Sequence, residues 1–153
     1  MGIRRVQAIG AEPSVTAGTK KMTAPSKSIV ALVDDDRSIV KSLSRMLRSV
    51  GYEVGAFGSA RELLDSLETF KPQCLVLDVH MPEMGGLELH SRLRAQGNQI
   101  PIIFMTAQDS LQTRRVSEQS GNMGLLLKPF EIPSLLAALE RAIGPSAANP
   151  AEQ

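Results

Sequence analysis

Three acids in a row, Asp34-Asp35-Asp36, follow the apolar run SIVALV, and a single one, Asp78, closes the run CLVL. Each stands where a chain that otherwise reads as buried strand meets polar sequence. A carboxylate there is costly unless a partner compensates it. Two further apolar runs, PIIFM and LLL, end in Thr106 and in Lys128, the latter followed by Pro129. Carboxylates gathered in one place repel, and each raises its neighbour's pKa unless a cation intervenes. Oxygen ligands without a His or Cys cluster favour a hard ion such as Mg²⁺. A carboxylate nucleophile, a divalent ion, a lysine point charge and a hydroxyl donor are together the parts needed to accept a phosphoryl group. Singly, these residues have plainer explanations. Acids suit the start of a helix, and Asp36 is set to cap one; a Thr or a Lys at a strand end is unremarkable. Their coincidence at four run ends is what points to chemistry.

For these side chains to meet, the chain must bring those ends to one edge. SIVALV (28–33), YEVGAF (52–57), CLVLD (74–78), PIIFMT (101–106) and LLLK (125–128) predict five strands. Between them, RSIVKSLSRMLRSVG sets Ile39, Val40, Leu43, Met46, Leu47 and Val50 on one helical face, with Gly51 placed for a C-cap. Ser59 opens a second helix, with Glu62 as the other half of a capping box and Leu63, Leu64 and Leu67 as its stripe. Gly86 to Ala95 forms the third, and SLQTRRVSEQSG reads as the fourth. The last starts near Pro133 and buries Leu135, Leu136, Leu139 and Ile143. Strands apolar on both sides, alternating with amphipathic helices, predict an α/β fold with a parallel sheet covered on both faces. In such sheets ligands bind beyond the carboxyl ends of the strands, where the polar residues above collect.

Composition narrows the field. A chain of 153 residues with 42% hydrophobic and 22% charged residues suits one soluble domain with a real core. A net charge of +1 makes no general case for nucleic acid or a membrane surface, and no apolar stretch reaches the about 20 residues of a membrane helix. The single cysteine, Cys74, excludes an internal disulfide, fits a reducing, cytoplasmic compartment, and reads as a buried inert thiol. Met81, Met84, Met105 and Met123 read as core or loop packing. Residues 1–27 differ from the rest. Arg4, Arg5, Lys20, Lys21 and Lys27 stand there against one acid, Glu12, which leaves 12 basic and 15 acidic residues elsewhere, a net −3. This segment is expected to be a disordered basic N-terminal tail, and 145–153 a short C-terminal tail. MGIRRV lacks the Ser or Thr of a myristoylation signal, Val6 standing in that place, and no apolar region follows the arginines as a secretory signal requires.

With VDDD (33–36), LVLDVHMPEMGGLEL (75–89), IIFMTA (102–107) and KPF (128–130) at these spacings, residues 28–144 closely resemble the receiver domain of two-component response regulators. They are most like receivers that precede LuxR-type DNA-binding domains. The resemblance implies a flavodoxin-like, doubly wound five-stranded (βα)5 sheet and phosphoryl transfer from a partner histidine kinase or phosphotransfer protein onto Asp78. It implies Mg²⁺ held by Asp35 and Asp78, by Asp34 mostly through water, and by the backbone carbonyl of His80. It implies that Thr106 hydrogen-bonds the phosphoryl group, that Lys128 pairs with it, and that the Lys128–Pro129 bond is cis. With no output domain after the fifth helix, the chain is expected to be a stand-alone receiver: no DNA binding of its own, no turnover beyond its own phosphorylation and dephosphorylation, oligomeric state open. Three positions depart from the pattern. Leu125 stands where the family has Phe or Tyr, Arg115 and Glu118 stand where the fourth helix is usually apolar, and His80 occupies a place that tunes phosphoryl loss. Two other readings compete. A haloacid-dehalogenase-type phosphatase would need a second Asp where this chain has His80, and a phosphorylation-independent docking module would have no use for the intact acid pair, Thr and Lys.

Overall fold

The five apolar runs satisfy their backbone groups by pairing as parallel strands. The computed structural model describes residues 28–108, 110–119 and 124–144, with the side chains at 117 and 119 excepted. The expected tails, 1–27 and 145–153, and Met123 lie outside the described residues. In chain order the elements are β1 (Ile29–Val33), α1 (Arg37–Ser49), β2 (Glu53–Phe57), α2 (Ala60–Ser66), β3 (Cys74–Asp78), α3 (Gly86–Ala95), β4 (Ile102–Thr106), α4 (Leu111–Gln119), β5 (Leu125–Leu127) and α5 (Ile132–Ile143). The sheet order is β2-β1-β3-β4-β5 with every pairing parallel. This is the expected doubly wound, flavodoxin-like fold.

Side chains of a strand alternate between faces, so each strand feeds two cores. Val30, Leu32, Cys74, Val76, Ile103 and Met105 meet Leu43 and Leu47 of α1 and Leu135, Ala138 and Leu139 of α5. Ala31, Val33, Leu75, Leu77, Ile102 and Phe104 meet α2 through Ala60 and Leu63 and α3 through Leu89 and Leu93, with Val116 of α4 partly buried against them. Every residue of β3 and β4 is buried, which is why those runs lack a polar face. Cys74 lies in the first core, and burial pushes its thiol up to about 12, so it is protonated and inert.

The helix ends follow their caps. Asp36 caps α1, Oδ1 accepting from the N–H groups of Ser38 at 2.9 Å and Ile39 at 3.3 Å. At the other end Val50 departs from expectation. It is 52% exposed, because α1 ends at Ser49 and the chain turns away through Gly51 at φ +108°. The start of α2 departs in one bond: Ser59 Oγ accepts from Glu62 N at 3.2 Å, but Glu62 Oε1 reaches back to Gly58 N at 3.0 Å, one residue beyond a capping box.

Candidate functional site

Strand register brings the acids together. Val33 pairs with Leu77, so Asp34 leaves β1 level with Asp78 at the end of β3. Asp34 and Asp78 are buried and Asp35 is exposed, and carboxylate oxygens of the three lie within 4.8 Å of one another. Lys128, just past β5, puts its Nζ 2.8 Å from Asp34 Oδ2 and 3.5 Å from Asp78 Oδ1. The Lys128–Pro129 peptide is cis, as expected. The acidic triplet therefore divides its labour. Asp34 turns inward to the lysine and accepts from Asp36 N at 2.9 Å, Asp36 serves the helix, and Asp35 faces out.

The electrostatics follow from this packing. The Asp78 carboxyl is pushed up to about 6, first by burial and then by the charge of Asp34, against the opposing pull of Lys128 and the His80 N–H. Burial pulls Lys128 down, but its hydrogen bond to Asp34 and the charges of both acids outweigh it, so the ammonium is held above its ordinary range. Three carboxylates face one ammonium, leaving excess negative charge on an all-oxygen donor set. Such a set fits a hard divalent ion, with Asp34, Asp35 and Asp78 as its side-chain holders.

The loop after β3 is shaped by backbone. His80 N donates to Asp78 Oδ1 at 3.4 Å, while the imidazole is exposed. Met84 N donates to Pro82 O at 2.7 Å around Glu83 at φ +68°, a tight γ-turn that L side chains rarely adopt. Gly85 and Gly86 then press the start of α3 against β3. A Cβ on Gly86 would sit 2.6 Å from the Asp78 carbonyl oxygen, and one on Gly85 would run into the Val79 carbonyl oxygen. A search for side-chain chemistry passes over these two residues. Their signal in the sequence is a doubled Gly just before a helix.

Thr106 is fully buried at the end of β4, and its hydroxyl is engaged with its own loop. It donates to Gln108 O at 2.9 Å and accepts from Gln108 N at 3.0 Å. Leu125 pairs with Phe104 in the sheet and is half-buried. Above it, Arg115 and Glu118 are exposed.

With buried acids and a lysine gathered at the carboxyl edge of a (βα)5 sheet, the chain can be set beside known proteins. The model of the response regulator receiver domain matches residues 30–140. The chain belongs to this family. The receiver is 36% identical over 117 residues to the response regulator protein TmoT of Ectopseudomonas mendocina, covering 76% of this chain and 53% of that protein. It is 42% identical over 119 residues to nodulation protein W of Bradyrhizobium diazoefficiens, covering 78% and 52%. The chain thus spans about half the length of these relatives. Among solved structures, the chemotaxis protein CheY4 of Vibrio cholerae matches with a TM-score of 0.70 at 32% identity, over 76% of this chain and 99% of that one. As a receiver it is a two-component signalling module, and among the described residues no helix is long and apolar enough to cross a membrane.

Proposed function

We propose that this receiver accepts a phosphoryl group onto Asp78 from a phosphohistidine of a partner histidine kinase or phosphotransfer protein. The observation that carries the reading is the buried Asp78 carboxylate, 3.5 Å from Lys128 and grouped with Asp34 and Asp35. In the transfer an Asp78 oxygen attacks phosphorus as the bond from phosphorus to the imidazole nitrogen breaks, and the imidazole leaves with its electron pair. Lys128 holds a fixed positive charge beside the oxygens that gain charge, with no need to reorganise. Asp34 keeps that ammonium in place, and the Gly85–Gly86 contact keeps the end of β3 from shifting. Asp34, Asp35, Asp78 and the His80 carbonyl would hold Mg²⁺, whose chemistry is to neutralise charge on the phosphoryl oxygens. To hydrogen-bond the acylphosphate, Thr106 must release Gln108 O, so its hydroxyl reports the modification by changing partner.

The stand-alone reading draws on CheY4, a protein in which this fold accounts for 99% of the chain. Nearness to receivers that precede LuxR-type domains rests on the motif residues from Leu75 to Leu89. A cytoplasmic setting and the lack of turnover on other substrates belong to the same proposal. Incubation of the full chain with acetyl phosphate and Mg²⁺, followed by intact-mass measurement, tests it. One phosphoryl group is expected on the wild type and none on Asp78→Asn; full labelling of that variant would show that another residue is the acceptor.

A further inference from the structure

β2 is an outer strand of the sheet, bonded to β1 on one side alone. Glu53 N donates to Ser28 O and Phe57 O accepts from Asp34 N, so Glu53, Gly55 and Phe57 turn their backbone groups to β1. Val54 and Ala56 must turn theirs outward. Arg48 of α1 confirms the direction, its Nη2 donating to Val54 O at 2.9 Å. The Val54 N–H and both backbone groups of Ala56, an exposed residue, have no hydrogen-bond partner among the described residues. Two donors and an acceptor are thus held in strand geometry with nothing opposite them.

The two faces of this edge differ. Phe70 closes one: its ring packs on Phe57 at 5.6 Å between centroids, and a Cβ on Gly55 would sit 2.5 Å from it. On the other face, the side of Val54 and Ala56, α1 runs beside the strand. Arg37, Lys41, Arg45 and Arg48 border the groove between them, spaced four, four and three residues apart on one stripe. No acid in α1 offsets them, and Arg37, Lys41 and Arg45 make no ion pair among the described residues. Of the acids at the groove, Asp34 is paired with Lys128 and Glu62 Oε1 accepts from Gly58 N.

Backbone and charge select the same occupant. A free acceptor beside free donors calls for a chain with N–H and C=O groups of its own, whereas a phosphate backbone offers acceptors alone. A chain added beside β2 points every second side chain to the α1 face, where acids would meet the cations. Twofold pairing of two β2 edges would instead set two cationic α1 stripes on one face of the joined sheet, and like charge opposes it.

We propose that the outer edge of β2 docks an extended acidic segment of a partner protein, which pairs with the Ala56 backbone and lays its acids along Lys41 and Arg45. This contact lies on the side of α1 away from Lys128 and Pro129 and makes no use of Asp78, so it is independent of phosphoryl transfer.

The probe is a capped, fluorescein-labelled heptapeptide of alternating Glu and Val, titrated into the full chain in EDTA and followed by anisotropy. One saturable site per chain is expected, weakening as salt rises past about 0.15 M. The same peptide with Lys for Glu should bind at least about tenfold more weakly. Of two N-methylated forms, one modified at every Glu and one at every Val, one should lose about tenfold and the other keep its affinity, because an added strand bonds through alternate residues only. Ala56→Pro removes the outward N–H and leaves the bonds to β1 whole, as an edge position allows, and should bind about tenfold more weakly. The Lys41→Gln/Arg45→Gln double variant, altered only at exposed side chains, should lose about as much through charge, and it keeps the test decisive where the proline disturbs β2. Absence of saturable binding, wild-type affinity in the double variant, equal binding of the Lys peptide, or N-methylated forms that do not differ would overturn the proposal. Self-association of the chain that Ala56→Pro abolishes would give the edge to a second copy and overturn it too.

Discussion

At the β1–β3 end of the carboxyl edge, each buried polar group is answered by another: Asp34 by Lys128 and Asp36 N, Asp78 by Lys128 and His80 N. At the β4–α4 end the packing among the described residues is sparse. Leu111 is 65% exposed, Arg115 and Glu118 face solvent, and Val116 is only partly buried. Among the described side chains of α4 the well-buried one is polar, Thr113, whose Oγ1 accepts from Ser110 Oγ at 2.9 Å. The first region is held by charge in a low-dielectric setting and is built to stay still. The second has few apolar contacts to lose and is built to change. Under the proposed function, chemistry and its report fall to parts of different rigidity.

The sharpest way to break this contrast is Lys128→Ala. Removing the ammonium leaves Asp34 and Asp78 buried side by side with no cation, and a loss of about 2–4 kcal/mol is expected at pH 8 in EDTA. Urea unfolding measures it. A loss under about 0.5 kcal/mol, the range of ordinary surface changes, would mean that water already screens the pair.

A smaller effect of opposite sign is expected for Asp78→Asn. The Asp78 carboxyl titrates near 6 in the folded protein against an ordinary 3.8, so the fold favours its protonated form. Its contribution is fully present below the ordinary value and is lost as pH rises through about 6. Metal-free wild type should therefore lose stability between these values, and the asparagine variant should not follow. Above pH 7 the variant should be the more stable by about 1–3 kcal/mol. Parallel pH profiles for the two proteins would contradict this.

What the sequence makes legible divides along the same line. The ends of β3 and β4 stand out because both faces are buried, so the apolar run stops where the polar rim starts, at Asp78 and Thr106. The caps at Asp36 and Gly51 are local and equally plain. The roles within Asp34-Asp35-Asp36 are not, because three identical side chains differ only in where the turn after β1 points them. Val50 has helical spacing but lies past the last turn, which no count of periodicity detects. The hydroxyl of Thr106 could face the acceptor or its own loop, and the backbone of Gln108 decides. The basic residues of α1 are visible as letters, but that Phe57 turns away from α1 to pack with Phe70 is a fact of strand alternation in the folded sheet.

The contrast can be sharpened by hydrogen exchange. Amides of α4 should open at about 1–3 kcal/mol less than those of α1, in keeping with its thin apolar contact. Phosphorylation should change protection there, since Thr106 must leave Gln108 and no aromatic ring at 125 is present to turn with it. Protection equal to that of α1 in both states would place the report elsewhere.

The smallest expected effect is also the most discriminating for the sparse end. Leu111 is the first residue of α4, and with 65% of it in water its truncation removes little buried surface. Leu111→Ala should change global stability by less than about 0.5 kcal/mol, since most of the transfer term for a leucine is absent. The alanine is also a slightly better helix former, which offsets part of what contact is lost. A two-state urea series with wild type and variant at one pH reads the difference directly. A loss above about 1.5 kcal/mol would require the leucine to be buried in solution. In that case α4 would be docked as firmly as the other helices, and Thr106 would have to act through a rigid element after all.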